Sequence, residues 1–144
     1  MIKRVLVPLD SQESSEAVLP VVNALARDGA TVRLLRVFPV PERIVGPGNR
    51  TIAYVDQEMA RLTAAGESEL RPIEAELPEG VVEKVVRFGD PAPEIALEAE
   101  AFGADLVVMS GGTPGWVRQT LSGDVADRVA RRSPVPTLVL RRPA

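Results

Sequence analysis

Short apolar runs alternate along this chain with longer stretches in which apolar residues recur every three or four positions. The short runs are typical of β-strands, and the longer stretches are typical of amphipathic helices. The runs are mainly apolar and do not alternate strictly between apolar and polar residues, as expected for parallel strands that are covered on both faces. The alternation therefore predicts an α/β fold in which a doubly wound parallel sheet forms the middle of three layers.

Five strands and four helices are expected. The predicted strands span 2–8, 31–38, 81–88, 105–109 and 136–140. The predicted helices span 14–27, 51–77, a segment that follows the 89–94 loop and runs to 102, and 122–132. Pro20 predicts a kink or a late start of the first helix, and Gly66 and Pro72 weaken the second. The prolines and glycines of 39–49 predict a mobile loop.

Length and composition limit the class of protein. With 144 residues and a net charge of −3, the chain is expected to form one domain, residues 1–144, without the basic surplus that nucleic acid requires. No apolar run is long enough to cross a membrane. The apolar run at the N-terminus ends at Pro8 and Asp10 without a small-residue cleavage site, so it is interpreted as a strand and not as a signal peptide. We therefore expect a cytoplasmic protein.

The chain has no cysteine and no histidine. This excludes disulfides, thiolate metal sites, cysteine nucleophiles and imidazole acid–base chemistry. Carboxylates, hydroxyls, arginines, Lys3, Lys84 and Tyr54 remain. A binding or regulatory protein is favoured over an efficient enzyme, because a hydrolase of a small phosphorylated substrate, the minor alternative, would lack a plausible general base.

The segment from Asp105 to Val129 is predicted to be a buried strand, a glycine-rich loop and the start of a helix. Such a junction can hold a phosphate on backbone N–H groups and the helix dipole. In open α/β sheets, ligands bind beyond the carboxyl ends of the strands. Asp124 argues partly against an anion there, since an acidic residue in a first helical turn stabilises the helix by about 0.3–1 kcal/mol and repels phosphate.

Five stretches in order resemble the universal stress protein family: 5–15, 34–37, 89–95, 104–109, and 123–129 followed by 133–140. The resemblance implies an adenine nucleotide alpha hydrolase-like fold with strand order 3-2-1-4-5. It also implies ATP or another adenine nucleotide as ligand, with Mg²⁺ accompanying it. A further implication is a homodimer formed by antiparallel pairing of the C-terminal edge strand, 135–140.

ATP-binding members of that family carry Gly-x2-Gly-x9-Gly-Ser/Thr after the fourth strand. In register with Gly123, this chain has Ser110 and Thr113 at the first two glycine positions and Asp124 at the hydroxyl position. Gly112 and Gly115 restore the glycine pair, but with a shorter spacing to Gly123. These departures predict weak ATP binding or none.

The resemblance assigns nucleotide contacts to twelve positions: Pro8, Leu9, Asp10, Val37, Gly89, Met109, Ser110, Gly112, Gly115, Gly123, Asp124 and Val125. Structural roles compete with several of them. Asp10 could cap a turn, Val37 could belong to the core, and Gly89 could serve a backbone conformation. Trp116 could cover the ligand cleft or pack on a partner subunit.

Two functions therefore remain open. The chain either binds an adenine nucleotide at the switch point of the sheet or acts in the stress response as a nucleotide-free dimeric interaction module. No residue pattern indicates a protein partner.

Overall fold

The computed structural model describes residues 1–10, 12–42, 44–111 and 125–141. Its central sheet contains five parallel strands: β1 Arg4–Pro8, β2 Thr31–Phe38, β5 Val82–Phe88, β6 Leu106–Gly111 and β7 Thr137–Arg141. The strands lie in the order β5-β2-β1-β6-β7. Numbered within the sheet alone, this is the predicted order 3-2-1-4-5, which is confirmed.

The helices cover both faces of the sheet. They are α1 Gln12–Arg27, α2 Val55–Glu74, α3 Pro91–Phe102 and α4 Val125–Arg132. Val22 of α1 and Leu70 of α2 pack in one buried cluster, whereas Ile95 of α3 and Val129 of α4 pack in another. Because each cluster lies on its own face, the molecule has the predicted three layers.

Helix α1 begins before Pro20 and runs through it, so the predicted late start is wrong. Proline removes one helical N–H, and here its ring lies at an exposed position. Val18 and Val22 on either side of it are each 1% exposed and bind the helix to the sheet. Their burial outweighs the missing hydrogen bond.

The segment between β2 and α2 contains regular structure that the sequence did not indicate. Two short strands, β3 Ile44–Val45 and β4 Thr51–Ala53, pair in antiparallel fashion around a 3₁₀ turn at Pro47–Asn49. The Gly46 amide donates a 2.6 Å hydrogen bond to the Arg50 carbonyl across this turn. The predicted loop at 39–49 is therefore partly ordered as a hairpin.

The same hairpin shortens the second helix, which was predicted from residue 51 and begins at Val55. Apolar residues such as Ile52 are compatible with either a helix or a strand. The turn at Pro47–Asn49 allows β4 to pair with β3, so this segment forms a strand. The Tyr54 amide then donates to Gln57 Oε1 at 3.1 Å, which satisfies one of the first free N–H groups of α2. In the described parts of the chain no helix is long and apolar enough to span a membrane.

Strand β6 extends further than predicted. It continues through Ser110 and Gly111, which pair with Leu140 and Arg141 of β7. Ser110 was expected to open the glycine-rich loop and instead lies in the sheet, because β7 provides a partner for the ladder to that point.

Candidate functional site

The carboxyl ends of the parallel strands share one edge of the sheet, and the loops that leave it carry the predicted site. The Leu9 amide donates to the Leu35 carbonyl at 2.8 Å, which continues the β1–β2 ladder past the end of β1. The Gly89 amide donates to the Phe38 carbonyl at 2.8 Å and does the same for β5. Both loops therefore start from fixed positions at this edge.

Asp10 is a buried carboxylate at this edge. It follows Pro8 and Leu9, and its residue is 8% exposed. Leu9 packs with the core beneath α1 and α2. A carboxylate held this far from water is costly unless polar groups surround it, so Asp10 marks a polar environment at this edge.

Val37, Met109 and Val125 belong to the same hydrophobic cluster. All are completely buried and pack together in the cluster beneath α3 and α4. These three predicted contact residues therefore form the apolar floor of the edge on that side of the sheet.

Ser110 is completely buried, and its Oγ has no hydrogen-bond partner. Strand alternation places its side chain on the same face as Val108, which packs beneath α1 and α2. An unsatisfied buried hydroxyl costs about 1–3 kcal/mol. Ser110 thus contributes an unused donor and acceptor close to the end of β6.

Gly89 has a backbone conformation that requires glycine. Its φ is 143°, and a Cβ at this position would lie 2.9 Å from Glu94 Cγ. Glu94 is held in place by Arg87, whose Nε donates to Glu94 Oε1 at 3.0 Å. Burial lowers the pKa of Arg87, but its hydrogen bonds to Glu98 and Glu94 outweigh this and raise the pKa above its ordinary value. The loop after β5 is therefore fixed by a charged side chain on α3.

An ion pair that sequence reasoning missed joins the loop after β5 to helix α4. Arg128 Nη2 lies 3.1 Å from Asp90 Oδ2. Asp90 precedes α3, and Arg128 lies on the helix that follows the predicted phosphate loop. No local pattern links two residues that are this far apart in sequence. Glu94 was also missed, because its contact with Gly89 depends on how the loop closes.

The structure brings together Asp10, Gly89 and Ser110 at one edge, with Val37, Met109 and Val125 beneath it. Four other predicted contacts, Gly112, Gly115, Gly123 and Asp124, lie outside the described residues, and so do Thr113 and Trp116.

Comparison with known proteins decides the family. The model of the universal stress protein family matches residues 1–141 of the chain. The chain belongs to this family. Universal stress protein MJ0577 of Methanocaldococcus jannaschii is 25% identical over 99% of this chain and 96% of its own length. Universal stress protein G of Escherichia coli O157:H7 is 28% identical over 98% of this chain and 100% of its own length.

Solved universal stress proteins share the fold. The structure of MJ0577 covers 100% of this chain and 99% of its own, with a TM-score of 0.76 and 27% identity. A universal stress protein in complex with cAMP covers 97% of both chains, with a TM-score of 0.65 and 22% identity. This universal stress protein thus has the adenine nucleotide alpha hydrolase-like fold that its sequence resemblance implied.

Proposed function

We propose that this universal stress protein is a regulatory binding protein that takes up an adenine nucleotide weakly at the carboxyl edge of its sheet. The observation that carries the proposal is the pair of buried polar side chains at the ends of adjacent strands. Asp10 follows β1, and Ser110, whose Oγ has no partner, lies near the end of β6. A ligand with hydroxyl or phosphate oxygens supplies the partner that Ser110 lacks.

The described residues fit the nucleoside end of such a ligand. The Asp10 carboxylate is an acceptor for ribose hydroxyls, and the apolar floor around Val37 suits an adenine ring. The related structure with cAMP supports this choice, because it is an example of the same fold with an adenine nucleotide. The site is not proposed to be catalytic, since the chain has no histidine or cysteine.

ATP is proposed to bind weakly. In the sequence, Ser110 and Thr113 replace two motif glycines and Asp124 replaces a hydroxyl residue. Each lost backbone approach or added like charge costs on the order of 1 kcal/mol, or about fivefold in affinity. Mg²⁺ would accompany the phosphates, so the same departures weaken its binding.

The assembly proposed is a homodimer through β7. This strand is at the edge of the five-stranded sheet, and Leu138 on it is 38% exposed. An unpaired apolar edge invites pairing with another chain. The same edge is equally compatible with the second candidate function, a nucleotide-free dimeric interaction module. Only a direct measurement of nucleotide binding distinguishes the two functions.

The test measures ligands on the purified protein. Small molecules released on denaturation are identified by mass spectrometry, and ATP, ADP, AMP and cAMP are titrated by calorimetry and thermal shift. An adenine nucleotide that binds with a Kd of about 1 μM or weaker supports the proposal. Sub-micromolar ATP binding contradicts the weak binding, and no response to any of the four nucleotides favours the nucleotide-free module.

A matched pair of variants locates the site. Asp10→Asn should weaken binding about tenfold through the lost charge-assisted hydrogen bonds. Asp28→Asn removes the same charge from an exposed residue between α1 and β2, at the opposite edge of the sheet, and should leave the affinity unchanged. Equal effects of both variants would place the ligand elsewhere.

A further inference from the structure

A surface groove runs between α1 and the end of α2, and none of the candidate nucleotide contacts lines it. It consists of two adjoining cavities of 320 and 540 Å³. Both cavities are lined by Glu16, Leu19 and Glu76, so they form one continuous groove. We call it the α1–α2 groove.

Part of the lining of the α1–α2 groove is apolar. Leu19 and Ile73 form its base, and Ile73 is 4% exposed. Pro20 and Pro72, each inside a helix, form the exposed rims. A covered proline loses no side-chain rotamer entropy, so this surface can be buried by a partner at small cost.

The polar groups of the groove favour a ligand that carries positive charge and donates hydrogen bonds. Among the described lining residues, the two charged ones, Glu16 and Glu76, are both carboxylates. Asn23 also lines it, and the Oδ1 of Asn23 is buried without a hydrogen-bond partner. Neither proline contributes a backbone N–H. The groove thus offers negative charge beside an apolar base, and an unsatisfied amide oxygen lies beneath its surface.

The size of the groove favours a chain segment. It extends along α1 from Ser15 to Asn23, which is about 12 Å at 1.5 Å per residue. An extended peptide of about four residues spans that distance.

From these observations we propose that the α1–α2 groove docks a short segment of another protein in which an arginine or lysine stands next to an apolar side chain. The cationic group is held by Glu76, and the apolar side chain covers Leu19 above the buried Ile73. The interaction is separate from nucleotide binding, since none of the lining residues belongs to the candidate nucleotide site.

A defined peptide serves as the probe. Fluorescein-labelled Gly-Arg-Leu-Arg-Leu-Arg-Gly is titrated with the full chain and followed by fluorescence anisotropy. Two control peptides carry Glu in place of Arg or Ser in place of Leu. We expect the first peptide to bind at least about tenfold more tightly than either control, because charge and apolar contact are both needed. Equal binding of the Ser peptide would overturn the proposal.

Two variants with the same net charge distinguish binding in the groove from general electrostatic attraction of the peptide to the protein. Glu76→Lys should weaken the first peptide by about tenfold or more. Glu100→Lys makes the same charge change at an exposed position on α3, on the other face of the sheet, and should have less than about a twofold effect. Similar losses in both variants would show non-specific attraction and overturn the proposal. If Glu76→Lys does not fold, Glu76→Gln replaces it, with Glu100→Gln as its control.

A third variant tests the amide acceptor. Because this oxygen lies beneath the surface, Asn23→Ala should change peptide affinity by less than about twofold, and thermal stability should stay unchanged or rise, because an unsatisfied acceptor is removed. Amide chemical shifts on peptide addition should change at Leu19, Asn23 and Ile73. Shifts confined to other residues, or a dimer by light scattering that Glu76→Lys dissociates, would contradict the proposal, the latter because a second copy would occupy the groove.

Discussion

Arg33 Nη1 donates a 2.7 Å hydrogen bond to Glu98 Oε2 beneath helix α3. The Glu98 side chain is 5% exposed and also accepts a 2.9 Å bond from Arg87. The Arg33 guanidinium lies 4.1 Å from the centroid of the Phe102 ring. The buried Glu98 carboxylate thus links helix α3 to β2 and to the edge strand β5.

Replacing that carboxylate should destabilise the fold. We expect Glu98→Gln to lower the free energy of unfolding by about 2 kcal/mol, because two guanidinium groups lose their shared charged partner while remaining partly open to water. Glu83→Gln is the control: its carboxylate bonds Arg33 at 2.6 Å but is 48% exposed, so its loss should cost less than about 1 kcal/mol. Urea denaturation measures both, and equal costs would mean that burial does not decide the value of these pairs.

Gly66 allows α2 to approach the sheet closely. A Cβ there would lie 2.9 Å from Val86 Cγ2 and 3.0 Å from Phe38 Cε2. Alanine gains about 1 kcal/mol of helix propensity, but overpacking against two side chains costs about 1–3 kcal/mol. Gly66→Ala should therefore be destabilising, whereas Ser68→Ala, at an exposed site in the same helix, should be neutral or stabilising. A higher Tm for Gly66→Ala than for the parent chain would contradict the close approach of α2 to the sheet.

Asp105 should make the fold sensitive to acid. Its Oδ2 accepts bonds from the Lys3 and Arg4 amides at 2.8 and 2.9 Å, and these hydrogen bonds lower its pKa. A lowered pKa in the folded state means that the stabilisation is complete above the unfolded pKa, about 3.9, and is lost as pH falls through the folded value. The stability difference between the parent chain and Asp105→Ala should therefore shrink below about pH 4.

Denaturation from neutral pH down to about pH 2 measures this difference. Asp28→Ala is the control, because that carboxylate makes no hydrogen bond to the described residues. A difference that stayed constant with pH would show that the charge of Asp105 contributes nothing to stability.

The ion pair between Arg128 and Asp90 should matter more for ligand binding than for stability. The two side chains are 22% and 48% exposed, so a double-mutant cycle with Arg128→Gln and Asp90→Asn should give a coupling below about 1 kcal/mol. Because the pair joins α4 to the loop of Gly89, adenine nucleotide affinity should fall about threefold or more in either variant. Unchanged affinity would separate the pair from the proposed site.

Leu138 should control the proposed dimer. Leu138→Lys places a charge on the β7 edge and should yield a monomer, because charged edge strands resist pairing. Leu97→Lys, at a 49% exposed position on α3, should leave the dimer intact. Light scattering at tens of micromolar, roughly the range in which a weak dimer forms, measures both variants. A monomeric parent chain would remove the basis for the proposed pairing.

Much of the fold could be predicted from local pattern. The limits of β2 were predicted correctly, because a mainly apolar run between Gly29 and a proline-rich segment has few alternatives. The hairpin at 44–53 was missed because two- and three-residue strands carry almost no periodic signal. Ser110 was placed in a loop because its pairing with Leu140 depends on a strand that follows much later in the chain.

Residue type and order are enough to establish the family, the alternation of strands and helices, and the absence of imidazole and thiol chemistry. Which polar groups are buried, and what they contact, follows only from the three-dimensional packing. The unpartnered hydroxyl of Ser110, the ion pair between Asp90 and Arg128, and the α1–α2 groove all arise from elements far apart in sequence. Burial and contact are set by packing in three dimensions, which no local pattern records.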